Sequence, residues 1–200
     1  TMDKRLTSVG VECTAKNKLN FRETLFTSNA MRNYIGGVIL FDTTIREKTS
    51  TGISIPKLLE NNNSLVGIKV DKGTKKLAGS IEETITEGLD GLRERLSEYY
   101  KLGARFTKWR AVYNIGKNYP SIQSLKSNAH ALARYAALVQ EAKMVPIVEP
   151  EILMEGDHDI DACYKATTDV LNECFNELIV QQVSLKGIVL KPNMVVPGFK

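Results

Sequence analysis

Five short apolar runs, separated by stretches long enough for a helix, constrain this chain more than any other feature. The runs are Gly36-Gly37-Val38-Ile39-Leu40-Phe41, Leu65-Val66-Gly67-Ile68, Ala111-Val112-Tyr113, Met144-Val145-Pro146-Ile147-Val148 and Gly187-Ile188-Val189-Leu190. Each is nearly continuous rather than alternating, as in strands covered on both faces. Between them, apolar residues recur at helical spacing. Residues 82–102 carry Leu89, Leu92, Leu96 and Tyr99 before a stop at Gly103. Residues 120–142 carry Leu125, Leu132, Tyr135 and Leu138, and residues 159–182 carry Ala162, Ala166, Val170, Leu171, Phe175 and Leu178. An earlier helix is expected over about 14–27, and Asn61-Asn62-Asn63-Ser64 reads as a polar loop. Strand–helix–strand alternation implies a parallel sheet built from right-handed crossovers.

Composition narrows the class. The 200 residues suffice for one domain with its own core, and 42% hydrophobic with 25% charged residues is ordinary for a globular protein. No apolar run approaches the roughly 18 residues a membrane helix needs, and no charged start leads into an apolar stretch as in a secretory signal. Three cysteines, without CxxC spacing, argue for a reducing, cytoplasmic compartment and against disulfides or a zinc site. The net charge of +4 is a mild excess with no long basic block, which leaves nucleic acid a minor reading, and a small anionic substrate fits the same charge equally well. The chain opens at Thr1-Met2-Asp3-Lys4 and stops at Lys200 after an apolar run, so both ends are expected to be cut.

Charges interrupt the strands at their C-terminal ends. Lys69 and Asp71 follow one run; Lys108 and Arg110 flank Trp109; Glu149 and Glu151 flank Pro150; Lys191 ends the last run. The i, i+2 spacing points both members of a pair to one face. In parallel α/β folds that end of the sheet holds the ligand. Unpaired buried charge is costly, so seven charges at one mouth require a reason. One reason is an internal ion-pair network of four cations and three anions. The other is a polar pocket with a cationic excess for a phosphorylated substrate.

Metal-dependent carbon–carbon cleavage would usually want several histidines, and only His130 and His158 exist. His130 lies mid-helix, as a surface or packing residue, and His158 in a solvated loop. Without a metal, a lysine amine activates a carbonyl by forming an iminium, which needs a lowered lysine pKa from burial or a neighbouring cation. Lys191 is the candidate, facing Lys108, with Glu149 as proton shuttle. Gly36-Gly37 reads as a tight strand entry or a phosphate loop, and Arg5 as a phosphate ligand or a solvated helix residue.

These residues resemble the class I fructose-bisphosphate aldolases. The resemblance rests on Gly36 to Phe41, Gly67-Ile68-Lys69-Val70-Asp71-Lys72-Gly73, Gly88-Leu89-Asp90-Gly91-Leu92, Lys108-Trp109-Arg110, Val145 to Leu153 and Leu190-Lys191-Pro192-Asn193-Met194-Val195. It implies a (β/α)₈ barrel, here incomplete: residues 1–200 as a single barrel domain holding strands two to six of eight. It implies reversible cleavage of fructose 1,6-bisphosphate to dihydroxyacetone phosphate and glyceraldehyde 3-phosphate, with no metal and no cofactor. By the resemblance Lys191 is the Schiff-base lysine, Glu149 the acid/base glutamate, Glu151 its acidic neighbour and Lys108 the lysine beside the imine. Lys69, Arg110 and Arg5 match positions near substrate phosphates or hydroxyls, and Asp71 a site-lining acid. Lys18 falls where the family often has arginine. The family's first strand, with its Ala-Asp-Glu-Ser-Thr motif, its last two strands and its C-terminal tail are not among these residues. The family implies a cytoplasmic homotetramer, with neither nucleic acid nor membrane as partner. Two rivals stand: a non-catalytic phosphate-binding or scaffolding derivative of the fold, and a lysine-dependent aldolase for another sugar phosphate.

Overall fold

The computed structural model describes residues 2–199. Helices α1 (Met2–Ser8), α2 (Ala15–Phe26) and α3 (Asn29–Tyr34) precede strand β1 (Gly37–Leu40). Then come α4 (Asp42–Ile45), α5 (Ile55–Asn61), β2 (Leu65–Lys69), β3 (Thr74–Lys76), β4 (Thr84–Thr86), α6 (Leu92–Lys101), β5 (Ala104–Tyr113), α7 (Ile122–Glu141), β6 (Val145–Ile152), α8 (Ile160–Val180), a 3₁₀ turn (Leu185–Gly187) and β7 (Val189–Leu190). Strands β1, β2, β5, β6 and β7 form one parallel sheet in that order, and β3 and β4 form a separate antiparallel hairpin. Consecutive parallel strands lying side by side with helices between them are what an arc of a (β/α)₈ barrel requires.

The helices begin where the chain supplies side-chain caps. Thr14, Ser121 and Asp159 accept hydrogen bonds from Asn17 N–H, Ser124 N–H and Ala162 N–H, starting α2, α7 and α8. The expected helix over 82–102 is a correction. Only Leu92–Lys101 is helical, and Thr84-Ile85-Thr86 is a strand. The β-branched run prefers extended backbone. Gly88 at φ +133° and Gly91 at φ +62° hold conformations that interrupt a helix. Gly88 is also crowded: a Cβ there would lie 3.0 Å from Lys72 N and 3.2 Å from the Trp109 ring.

β5 is longer than its apolar run, ten residues rather than three, and alternates from Phe106 onward, past a register shift at Arg105. Trp109, Ala111 and Tyr113 turn to the helices and are buried; Phe106, Lys108, Arg110 and Val112 turn to the opposite, inner face. The expectation of two covered faces therefore holds for Val66–Ile68 of β2 but not for β5. The helix side is packed by Leu132, Tyr135, Ala136 and Val139 of α7 and Val170, Cys174 and Leu178 of α8. Trp109 stacks on Tyr135 at 5.3 Å between ring centroids, a contact worth about 0.5–1.5 kcal/mol beyond the area it buries. The Tyr135 hydroxyl is satisfied by Thr107 Oγ1 at 2.6 Å and Ile147 O at 3.2 Å. On the inner face, Phe106 covers Gly67 and Gly37, where a Cβ would meet its ring at 2.3 and 2.9 Å. Gly37 thus opens β1 as a tight strand entry. Above this apolar floor the inner face is charged.

Candidate active site on the inner face of the sheet

Register decides what meets what. Lys69 of β2 lies beside Lys108 of β5, and Arg110 lies beside Glu149 of β6. Lys191 directly follows β7, its N–H donating to Val148 O at 2.9 Å. The i, i+2 partners Asp71, Arg110 and Glu151 continue the same face toward the C-terminal ends of the strands. Lys108 and Arg110 lie in mid-strand, because β5 runs on to Tyr113.

Five of the seven side chains, Lys69, Asp71, Lys108, Glu149 and Lys191, form one row, and Arg110 and Glu151 form a pair beside it. Lys191 Nζ donates to Glu149 Oε1 at 2.6 Å, and Lys108 Nζ lies 3.2 Å from Oε2 of the same carboxylate. That second contact is an ion pair without hydrogen-bond alignment, so Oε2 is held by charge alone. Lys108 also lies 3.9 Å from Asp71, which accepts a short hydrogen bond from Lys69 and a longer one from Arg110 N–H at 3.4 Å. Arg110 Nε makes a short bond to Glu151. Lys191 faces Lys108 across Glu149, so one carboxylate separates the two amines. Glu149 and Asp71 are buried, Lys108 is nearly so, and the Lys191 side chain is 57% exposed. Burial is thus not what distinguishes Lys191; the shared carboxylate and the second cation are.

The Arg110 guanidinium holds the Glu151 carboxyl below its ordinary value of 4.5, against the opposing effect of burial. A lowered carboxylate stabilises the fold above its unfolded value and ceases to do so as pH falls through the lowered one. Glu151→Gln is therefore expected to reduce the whole protein's thermal midpoint at neutral pH. The gap to the parent should close as pH falls below about 4.5. A gap that stays constant down to pH ~3 would contradict the pairing.

Two sequence expectations are not joined to this row. Arg5 lies exposed on α1, and Lys18 on α2 pairs with Asp3 at 2.9 Å. Among the described residues no hydrogen bond or ion pair connects either to the seven. His158 is a correction: both ring nitrogens are covered and lack hydrogen-bond partners, because the ring lies against Gly156 and Gly198. His130 is half-exposed on α7, bonded to Glu177 at 3.0 Å. Arg95 was missed from sequence. It reaches from α6 to the carbonyls of Val70 and Gly88, bracing the turn that presents Asp71. A cleft of about 450 Å³ lies there, lined by Lys69, Asp71, Arg95 and Tyr99. A second of about 440 Å³, between α6 and α7, touches none of the seven.

Comparison with known proteins agrees along the whole chain. The family model described as "Fructose-bisphosphate aldolase class-I" matches residues 1–200. A "Probable fructose-bisphosphate aldolase class 1" of Xanthomonas campestris is 53% identical over 198 residues, covering 99% of this chain and 59% of that protein. "Fructose-bisphosphate aldolase 4, cytosolic" of Arabidopsis thaliana is 50% identical over 99% of this chain and 50% of its own length. Among solved structures, fructose-bisphosphate aldolase from Plasmodium falciparum, crystallised with TRAP and a small-molecule inhibitor, superimposes with a TM-score of 0.96 at 44% identity. It covers 100% of this chain and 58% of that one, and the shared α/β fold is consistent with part of a (β/α)₈ barrel. The chain spans between half and three-fifths of these relatives.

Proposed function

The chain belongs to the class I fructose-bisphosphate aldolase family, and from that premise we propose that the whole protein cleaves fructose 1,6-bisphosphate reversibly through an imine on Lys191. The observation that carries this reading is Glu149 between two amines, 2.6 Å from Lys191 and 3.2 Å from Lys108. An amine attacks a carbonyl only after losing its proton, and Glu149 Oε1 is placed to accept it. Lys191 Nζ bonds to C2 of the open-chain ketose, forming a carbinolamine. Glu149 returns a proton to the C2 hydroxyl, which leaves as water, and the iminium remains. The C3–C4 bond then breaks as the C4 hydroxyl gives its proton to a carboxylate, by family likeness the aspartate of the first strand's Ala-Asp-Glu-Ser-Thr motif, and the electrons of that bond pass into the iminium. Glyceraldehyde 3-phosphate departs, the enamine takes a proton at C3, and water releases dihydroxyacetone phosphate and the free amine. Lys108, held beside the same carboxylate, supplies positive charge where oxyanions develop. Lys69 and Arg110, backed by Asp71 and Glu151, are assigned to substrate hydroxyls or phosphate, and Arg5 to phosphate by family likeness. The ion pair of Lys18 with Asp3 gives a substrate role no support.

An excess of one cation and a half-solvated lysine at the end of the row favour a site open to an anionic substrate over a network serving stability alone. No cofactor is needed, since the amine itself makes the electron sink. The whole protein is assigned to the cytoplasm as a homo-oligomer, by family likeness a homotetramer. Among the described residues no helix is long and apolar enough to cross a membrane.

The test is reduction with borohydride in the presence of fructose 1,6-bisphosphate or dihydroxyacetone phosphate. The whole protein should gain the mass of the reduced triose phosphate adduct on the peptide carrying Lys191, and no adduct would sink the reading. Turnover is also expected to be unchanged by EDTA, since the amine, and no ion, activates the carbonyl. Activity lost to the chelator and restored by zinc would contradict it.

A further inference from the structure

β6 sits between β5 and β7, yet it carries two prolines, Pro146 and Pro150. Proline has no N–H to give a ladder and is ordinarily confined to edges or bulges. The side of β6 on which they fall explains the tolerance. Val148 O accepts from Lys191 N–H, so residue 148 turns its backbone groups to β7, and residues 146, 150 and 152 share that orientation. Of the four donors facing β7, two are absent. Only Ile147 with Val189 and Val148 with Leu190 pair. Against β6, the strand that delivers Lys191 thus has only two ladder pairs among the described residues.

Ile152 N–H, the last donor on that side, is not left empty. It donates to the side-chain Oδ1 of Asn193 at 3.1 Å. The Asn193 amide group in turn donates to Thr167 Oγ1 on α8 at 3.0 Å and to Met194 O at 3.0 Å. Asn193 therefore ties the segment two residues beyond Lys191 to the end of β6 and to α8, where a ladder would otherwise do so. We propose that Asn193 is a positioning residue for the imine chemistry, holding Lys191 in line with Glu149 in place of the ladder bonds that Pro150 denies to β7. The proposal rests on the aldolase reading above.

The experiment measures the rate and the final extent of borohydride trapping of dihydroxyacetone phosphate, with kcat and KM, in the whole protein and its variants. Asn193→Ala should slow trapping and kcat by about 10–100-fold, the scale on which a misplaced reacting group costs rate. The extent of trapping and KM should stay near the parent's, because the folded population and the phosphate contacts are intact. Asn193→Asp still accepts from Ile152 N–H and lets the Thr167 hydroxyl donate but loses the bond to Met194 O, so it should recover only part of the loss, to within about tenfold of the parent. A parent that traps, beside an Asn193→Ala variant trapping at the same rate, overturns this inference and leaves the aldolase reading standing. Extent falling in step with rate would mean lost fold rather than lost alignment, and overturns it too. A parent that traps nothing overturns both. Should Asn193→Ala fail to fold, Thr167→Val decides: slower trapping at full extent supports the clamp, and a parental rate refutes it.

Discussion

Lys191→Arg in the whole protein is expected to abolish borohydride-dependent labelling and to lower turnover roughly 10⁴-fold or more, the scale seen when a covalent nucleophile is removed. The substitution separates charge from chemistry. A guanidinium keeps the positive charge and can still donate to Glu149 Oε1, so the row from Lys69 to Glu149 stays paired. It does not deprotonate in proteins and forms no iminium. The side chain is 57% exposed, so the larger head group meets water rather than packed core. Circular dichroism and the thermal midpoint should therefore match the parent while trapping disappears. Unchanged turnover would show that the carbonyl is activated elsewhere. The scaffolding alternative predicts a different pattern, in which the parent already labels nothing and Lys191→Arg changes nothing.

How much of this could be read beforehand depends on which face of the sheet a residue serves. β1, β2, β6 and β7 announced themselves because their runs are continuously apolar, although Ile39, Val145 and Val189 stand exposed. Of β5 only residues 111–113 stood out, since Arg105, Lys108 and Arg110 break the run. Those breaks were the alternation of a strand with one dry face and one charged face, and the i, i+2 spacing of the charges carried that information. The 74–86 hairpin was hidden by a coincidence: Leu89, Leu92, Leu96 and Tyr99 keep helical spacing, although the helix begins only at Leu92. Gly88 and Gly91 were the signal against a longer helix. Tertiary contact over the sheet cannot be read from spacing, so nothing marked Arg95 as a brace for the Val70 carbonyl. His158 looked solvated because its neighbours Asp157 and Asp159 are polar, whereas close approach of Gly198 covers the ring. For Asn193 a signal existed. Two prolines on one side of a central strand leave a neighbour short of donors, and a polar side chain just past that neighbour is the natural substitute.

Glu149→Gln should be the second most damaging change, lowering kcat about 10²–10⁴-fold, the range for loss of a positioned acid–base group, with KM little altered. The amide keeps the shape of the carboxylate and still accepts from Lys191, but it cannot take the proton that must leave that amine. Glu149→Ala adds a structural cost that the amide largely avoids. Its size follows from how well each stranded cation can be resolvated. Lys191 reaches water, and an exposed ion pair is worth at most about 1 kcal/mol. Lys108 is only 16% exposed and keeps Asp71 at 3.9 Å as its remaining counter-charge. Removing one partner of a buried pair typically costs about 3–5 kcal/mol. The surviving Asp71 contact places Glu149→Ala near the lower end of that range. The two variants should thus share a similar loss of kcat while differing in stability, the alanine form unfolding at clearly lower denaturant. If Glu149→Gln retains turnover within tenfold of the parent, the proton does not pass through this carboxylate. Glu149 would then be a structural counter-ion for Lys108, and the acid–base role would have to fall to another group within reach of Lys191.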